Sequence, residues 1–179
     1  MNPVGVLLSV VAGLVAIVAV VGIYNGITAS LKEGESITLL NQLRTSVERI
    51  YSGQASYGAS TNDNLVPILA GFGKIPDGAR VVSGSTTTIR HPFGGAVTIR
   101  GNGGRFAITF AALDDETCKD LGQAYAGRTR AGSGIVMMDV AGTAPTTVPT
   151  TAPRVWTIAD LNTKCTEGAA SNALTFVFG

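Results

Sequence analysis

The chain has 179 residues, with 13 basic and 12 acidic side chains and a net charge of +1. That balance removes the electrostatic case for nucleic-acid binding by this chain. Only 14% of residues are charged while glycine alone numbers 23, a composition that suits a secreted structural protein.

The first charged side chain is Lys32, and residues 4–23 are almost wholly apolar. A helix of about 20 residues rises about 30 Å, enough to cross a bilayer core. Three readings compete. A cleaved secretory signal wants a basic start and a shorter apolar run. Met1-Asn2-Pro3 supplies no such start, although Thr28-Ala29-Ser30 is a passable cleavage site. A plain membrane anchor is the second reading. The third is a helix that is first a membrane span and later the core of a filament. Gly5, Gly13, Gly22 and Gly26, with Ala12, Ala16 and Ala19, favour the third. Small residues let helices approach closely where lipid gives little drive.

The helical pattern continues past this run. Leu40, Leu43, Val47 and Ile50 share one helical face, and Arg44 and Glu48 form an i, i+4 pair. Tyr51-Ser52-Gly53 then ends the helix. The sequence therefore predicts a helix over about 1–52, apolar all round at first and amphipathic later. Gly22 and Gly26, flanking Asn25, are points where it is expected to unwind locally within a fibre, since glycine costs a helix about 1 kcal/mol relative to alanine.

Next comes a loop over 54–78 with a short helix near Asn64–Ala70, capped by Asn62 or Asp63. Ala79–Ser83, Thr86–Arg90, Ala96–Arg100 and Arg105–Ala111 read as strands, with Gly94-Gly95 and Gly101–Gly104 as turns. Asp114-Asp115-Glu116 opens a helix that runs to about Ala126, where negative charge suits the helix dipole. Ile135–Asp139 is a strand. Residues 142–153, GTAPTTVPTTAP, form a low-complexity stretch expected to be an exposed extended loop with no place in a core. Thr157–Thr163 is a short helix, and Ala173–Phe178 an apolar strand expected inside the sheet. The fold class is α+β: a long N-terminal helix packed on an antiparallel sheet. Residues 1–30 form its hydrophobic helix, and 31–179 a head that includes the amphipathic half.

Cys118 and Cys165 cannot make a zinc site, which wants four ligands in close pairs. In an exported chain an even pair reads as one disulfide, with two free buried thiols as the alternative. Catalytic groups are sparse, and neither a catalytic residue, a metal nor a cofactor is expected. The lone histidine, His91, precedes Pro92-Phe93 and reads as structural. The 114–116 carboxylates read as a cap rather than a metal site. Gly101-Asn102-Gly103-Gly104 lacks the lysine and following helix of a phosphate loop. Arg128-Thr129-Arg130 reads as solvated surface, and Trp156 as an anchor beneath the Thr/Pro loop.

Several stretches, in order, resemble a type IV pilin of the type IVb branch, which includes bundle-forming, toxin-coregulated and conjugative thin pili. They are Ile50–Tyr57 at the helix end, Gly73-Lys74-Ile75-Pro76, His91-Pro92-Phe93-Gly94-Gly95, Leu113–Cys118, and Cys165 followed by Leu174–Phe178. The resemblance implies a subunit that sits in the inner membrane and polymerises into an extracellular homopolymeric filament. Adhesion, aggregation or conjugative mating would be its use. It implies processing at Met1 by a prepilin peptidase, N-methylation there, and a pilus assembly machinery as partner. Val4, Leu7, Leu8, Val11, Leu14, Val15, Val18 and Val21 would line the filament core. A pseudopilin of a type II secretion system and a membrane-anchored surface binding domain are the alternatives. One departure is plain: these pilins usually carry glutamate at the fifth mature position, and here it is Gly5. The N-terminal amine must then be neutral, pair with polar groups such as backbone carbonyls or Ser9, or be neutralised from outside the protein, a lipid phosphate being one source. Pairing within the protein is the expectation.

Overall fold

The computed structural model describes residues 3–58, 62–126, 134–150, 156–166 and 172–179, with side chains from Ile27 onward. The first element, α1, is one continuous helix over Pro3–Ile50. It is 48 residues long, about 70 Å at 1.5 Å per residue. Only its C-terminal half carries a described buried stripe: Ser36, Leu39, Leu40, Leu43 and Val47. These recur every three or four residues, the spacing of one helical face. Gly53 follows at φ +87°, the left-handed conformation that stops a helix.

The chain then makes a two-residue strand, β1 (Asp63–Asn64), and α2 (Val66–Gly71). The expected cap is corrected here. Leu65 is the N-cap residue of α2 and gives no side-chain hydrogen bond. The Val66 amide donates to Asn64 Oδ1 instead, at 3.2 Å. Asp63 and Asn64 pair with Gly101 and Arg100 and so cannot begin the helix. A 3-10 turn over Asp77–Ala79 leads into β2 (Arg80–Ser83), β3 (Thr86–Arg90), β4 (Ala96–Asn102) and β5 (Arg105–Leu113). Helix α3 (Asp115–Tyr125), β6 (Ile135–Ala141), α4 (Ile158–Lys164) and β7 (Asn172–Phe178) complete the head.

The sheet is antiparallel and runs in the order β2-β3-β4-β5-β7-β6, with β1 added beside β4. The last strand thus lies inside the sheet, as expected, and all seven of its residues are buried. Its alternation separates two layers. Leu174, Phe176 and Phe178 join the main core, together with Leu40, Leu43 and Val47 of α1 and Phe106, Ile108 and Phe110 of β5. Val177 points to the other face, where it packs with Ala107, Met137 and Val148.

Val148 corrects the expectation for the Thr/Pro stretch at one point, while Gly142, Thr143, Thr146, Thr147 and Thr150 are exposed as expected. It is 3% exposed, and its amide donates to Asn62 Oδ1 at 2.7 Å. The apolar patch on the outer face of β5, β6 and β7 needs a cover, and the one large apolar side chain of the stretch supplies it. Residues 151–155 of that stretch lie outside the described residues. Trp156 is likewise an anchor for a different element. It is buried in the main core, and its indole N–H donates to the Met138 carbonyl of β6.

Candidate subunit interface

The disulfide joins Cys118 on α3 to Cys165 at the end of α4, with Cα atoms 5.9 Å apart across 47 residues of sequence. Both helices carry local caps that fix where these cysteines lie. The Thr117 amide donates to Asp114 Oδ1 at 2.7 Å. Lys119 donates to Asp115 one turn back at 2.8 Å. Of the acidic run, Asp114 is therefore the cap, while Asp115 pairs with Lys119 instead. At α4, Thr157 and Asp160 form a reciprocal capping box. Gly122 of α3 faces Leu161 of α4 so closely that a Cβ there would lie 2.5 Å from Leu161 Cδ2.

A row of aromatic rings connects the end of α1 to the last strand. Tyr51 and Tyr57 have centroids 5.6 Å apart, Tyr57 and Phe106 4.7 Å, and Phe106 and Phe178 5.0 Å. Burial holds both tyrosine hydroxyls above their usual pKa, aided at Tyr51 by Asp63 and at Tyr57 by Glu48. They are neutral packing groups. This row was not predicted from the sequence, because Tyr57 meets Phe106 only through the fold.

His91 is 2% exposed and closes the β3–β4 hairpin onto the bulge in β5. Its Nε2 lies 2.8 Å from the Ala111 carbonyl. A carbonyl can only accept, so Nε2 carries the proton and Nδ1 is bare. Among the described residues, Nδ1 has no hydrogen-bond partner. Desolvation lowers the pKa of the ring. The adjacent Ala112 takes φ +57°, where register shifts between Phe110 and Leu113. Gly95 is required beside it, since a Cβ there would sit 2.0 Å from the Ala111 oxygen and 2.3 Å from His91 Nε2. The structural reading of His91 stands, and the hairpin motif gains a reason for its glycine.

The outward side of α1 is different in kind. Ile27 and Leu31 are 58% and 63% exposed, directly before the buried stripe begins. A shallow groove of about 670 Å³ runs between α1 and the loop before β2, lined by Leu31, Gly34, Thr38, Pro76, Ala79 and Pro92. A second, about 630 Å³, continues along Asn41, Thr45 and Ser46 to Gly73 and Lys74. On the other flank, Lys32 lies 5.9 Å over the Phe93 ring, near Asp114, Glu116 and Asp120. From Ile27 onward, helix α1 thus carries exposed apolar and polar surface outside the head's core.

Among the described residues no group of three or more histidine, cysteine, aspartate or glutamate side chains could hold a metal ion. Among them, too, no helix is long and apolar enough to cross a membrane. The apolar run itself lies outside the described side chains. So do Val4, Leu7, Leu8, Val11, Leu14, Val15, Val18 and Val21. Met1 and Arg128-Thr129-Arg130 lie outside the described residues altogether. Gly22 and Gly26 sit on unbroken helical backbone in this subunit.

The PilS N-terminal family matches residues 32–178. The chain belongs to that family. Among solved structures, the head and helix are similar to TcpA, a type IV pilin from Vibrio cholerae El Tor biotype. That match has a TM-score of 0.59 and 20% identity, covering 83% of this chain and 99% of that one. They are also similar to a type IVb pilin from Salmonella typhi, with a TM-score of 0.54 and 19% identity, covering 80% of this chain and 97% of that one. No curated protein matches. This PilS-family chain therefore has the fold of the type IVb pilins.

Proposed function

We propose that this PilS-family chain is the major structural subunit of a type IVb pilus. The observation that carries the reading is the division of α1. One unbroken helix has its described core stripe only from Ser36 onward, while Ile27 and Leu31 before it are exposed. Exposed apolar surface of this kind marks a protein or membrane contact. In this reading residues 1–30 hold the subunit in the inner membrane and residues 31–179 form the head. Prepilin peptidase cleaves before Met1, which is then N-methylated. The assembly machinery extracts the subunit. The helices gather in the core of a homopolymer through Val4, Leu7, Leu8, Val11, Leu14, Val15, Val18 and Val21, with Gly22 and Gly26 as the flexible points. The extracellular filament serves adhesion, aggregation or conjugative mating.

Electron microscopy of sheared surface material, with mass spectrometry of its main band, tests the reading. Long filaments composed of this chain are expected. A surface free of filaments, with the chain retained in the membrane, would overturn it in favour of an anchored binding domain. Short periplasmic assemblies would indicate a pseudopilin.

A further inference from the structure

The Thr/Pro stretch is held in a defined place that its composition does not explain. Val148 seats on the face of the sheet opposite α1, against Ala107, Met137 and Val177. Asn62, itself at φ +68°, accepts its amide proton from 86 residues away. Pro145 and Pro149 fix their own φ and confine Ala144 and Val148 to extended backbone. Around this buried point Thr143, Thr146, Thr147 and Thr150 are all exposed. No hydrogen bond among the described residues holds their hydroxyls. A solvent loop needs neither the seat nor the hydroxyls. Threonine alternating with proline on an extended, exposed backbone is the composition of O-glycosylated segments.

We propose that Thr146, Thr147 and Thr150 are acceptors of O-linked sugar. The threonine Oγ1 bonds to the anomeric carbon of a glycosyl diphosphate donor. The bond from that carbon to the diphosphate breaks and the diphosphate leaves. The hydroxyl proton passes to a base of the glycosyltransferase. No oxidation or reduction is involved. The proposal rests on the filament reading in one respect: with α1 in the core, the face opposite α1 is the outer surface, where sugar is tolerated. Val148 keeps the modified threonines against the head.

Intact-mass measurement of filaments from the native host, followed by peptide mapping, tests this. The subunit mass is expected to exceed the 18.3 kDa polypeptide by whole sugar residues, beyond any N-methyl group. The added mass should map to the peptide spanning 142–150. A triple Thr146→Val, Thr147→Val, Thr150→Val variant should lose it and still assemble. Filaments whose subunit carries no sugar, or carries it elsewhere, overturn the proposal and leave the pilin reading standing. Mapping on the native protein decides the matter even where the triple variant fails to fold.

Discussion

The Arg44 guanidinium lies 5.2 Å over the ring of Phe178. Its Nε also donates to Glu48 at 2.8 Å, one turn along the helix. One side chain thus ties the amphipathic half of α1 to the final strand of the sheet. Both partners of the ion pair are partly exposed, so the pair itself contributes little. The cation–π contact adds about 1 kcal/mol. Arg44→Ala is therefore expected to lower head stability by about 1–2 kcal/mol through lost packing and stacking. Urea denaturation checks this. An Arg44→Lys head as stable as the native one would show that a point charge is sufficient.

The disulfide is expected to contribute more. Closing a loop of this length stabilises a fold by about 4 kcal/mol in the chain-entropy model. Cys118→Ser or Cys165→Ser should lower stability by several kcal/mol and reduce pilus yield. Thermal melting of the head follows the first effect and filament recovery the second. Both cysteines should resist alkylation in the unreduced protein.

Gly95→Ala should be strongly destabilising, by about 3 kcal/mol or more, since the added carbon meets backbone rather than a movable side-chain end. Gly94→Ala, where nothing crowds the added carbon but φ is +90°, should cost about 1–2 kcal/mol. Denaturation midpoints of the two variants would rank them, and equal loss would contradict the steric account.

Acid should weaken the head through His91. Its pKa is lowered in the folded state by burial, so the unfolded chain binds its proton first as pH falls. The contribution is fully present above the unfolded value of about 6.5 and is lost as pH drops through the folded one. Protonation would place a second N–H at Nδ1, which has no acceptor among the described residues. His91→Gln, which retains a donor for Ala111, should flatten the stability profile below pH about 6.5. An unchanged acid limb would show that other groups govern it.

Ala16→Arg should leave the head folded and abolish filaments. A charge at mid-run costs about 2.5–3.5 kcal/mol on insertion. Circular dichroism of the detergent-solubilised subunit, beside electron microscopy of cells, separates the two effects. Normal fibres from this variant would exclude a buried helical core.

Elements governed by local pattern were readable from the residues. The stripe through Leu40, Leu43 and Val47 placed the second half of α1, and Thr86–Arg90 alternates so clearly that β3 has the expected bounds. Asp114 marked its own helix start. What escaped depends on contacts between distant residues. Strand β1 exists because Asp63 meets Gly101. Val148 is buried because Asn62 holds it and three side chains from β5, β6 and β7 leave it a seat. Composition marked that stretch as surface, and a single apolar residue within it carries too little periodic signal to say otherwise. The exposed Ile27 and Leu31 were similarly hidden, since a sequence does not show which turn of a long helix is the first to meet the head.

The position of β7 also fixes an order of events. Strand β6 is made before β7, yet β7 is its sole partner among the described strands, and β5 on the far side also awaits β7. Closing such distant pairings is slow relative to local ones. While Asn172–Phe178 is still being delivered, Phe106, Ile108 and Phe110 stand uncovered along one edge. Among the described strands, a head lacking Asn172–Phe178 would present two open strand edges, on β5 and on β6, and open edges invite pairing between copies until the seventh strand fills both.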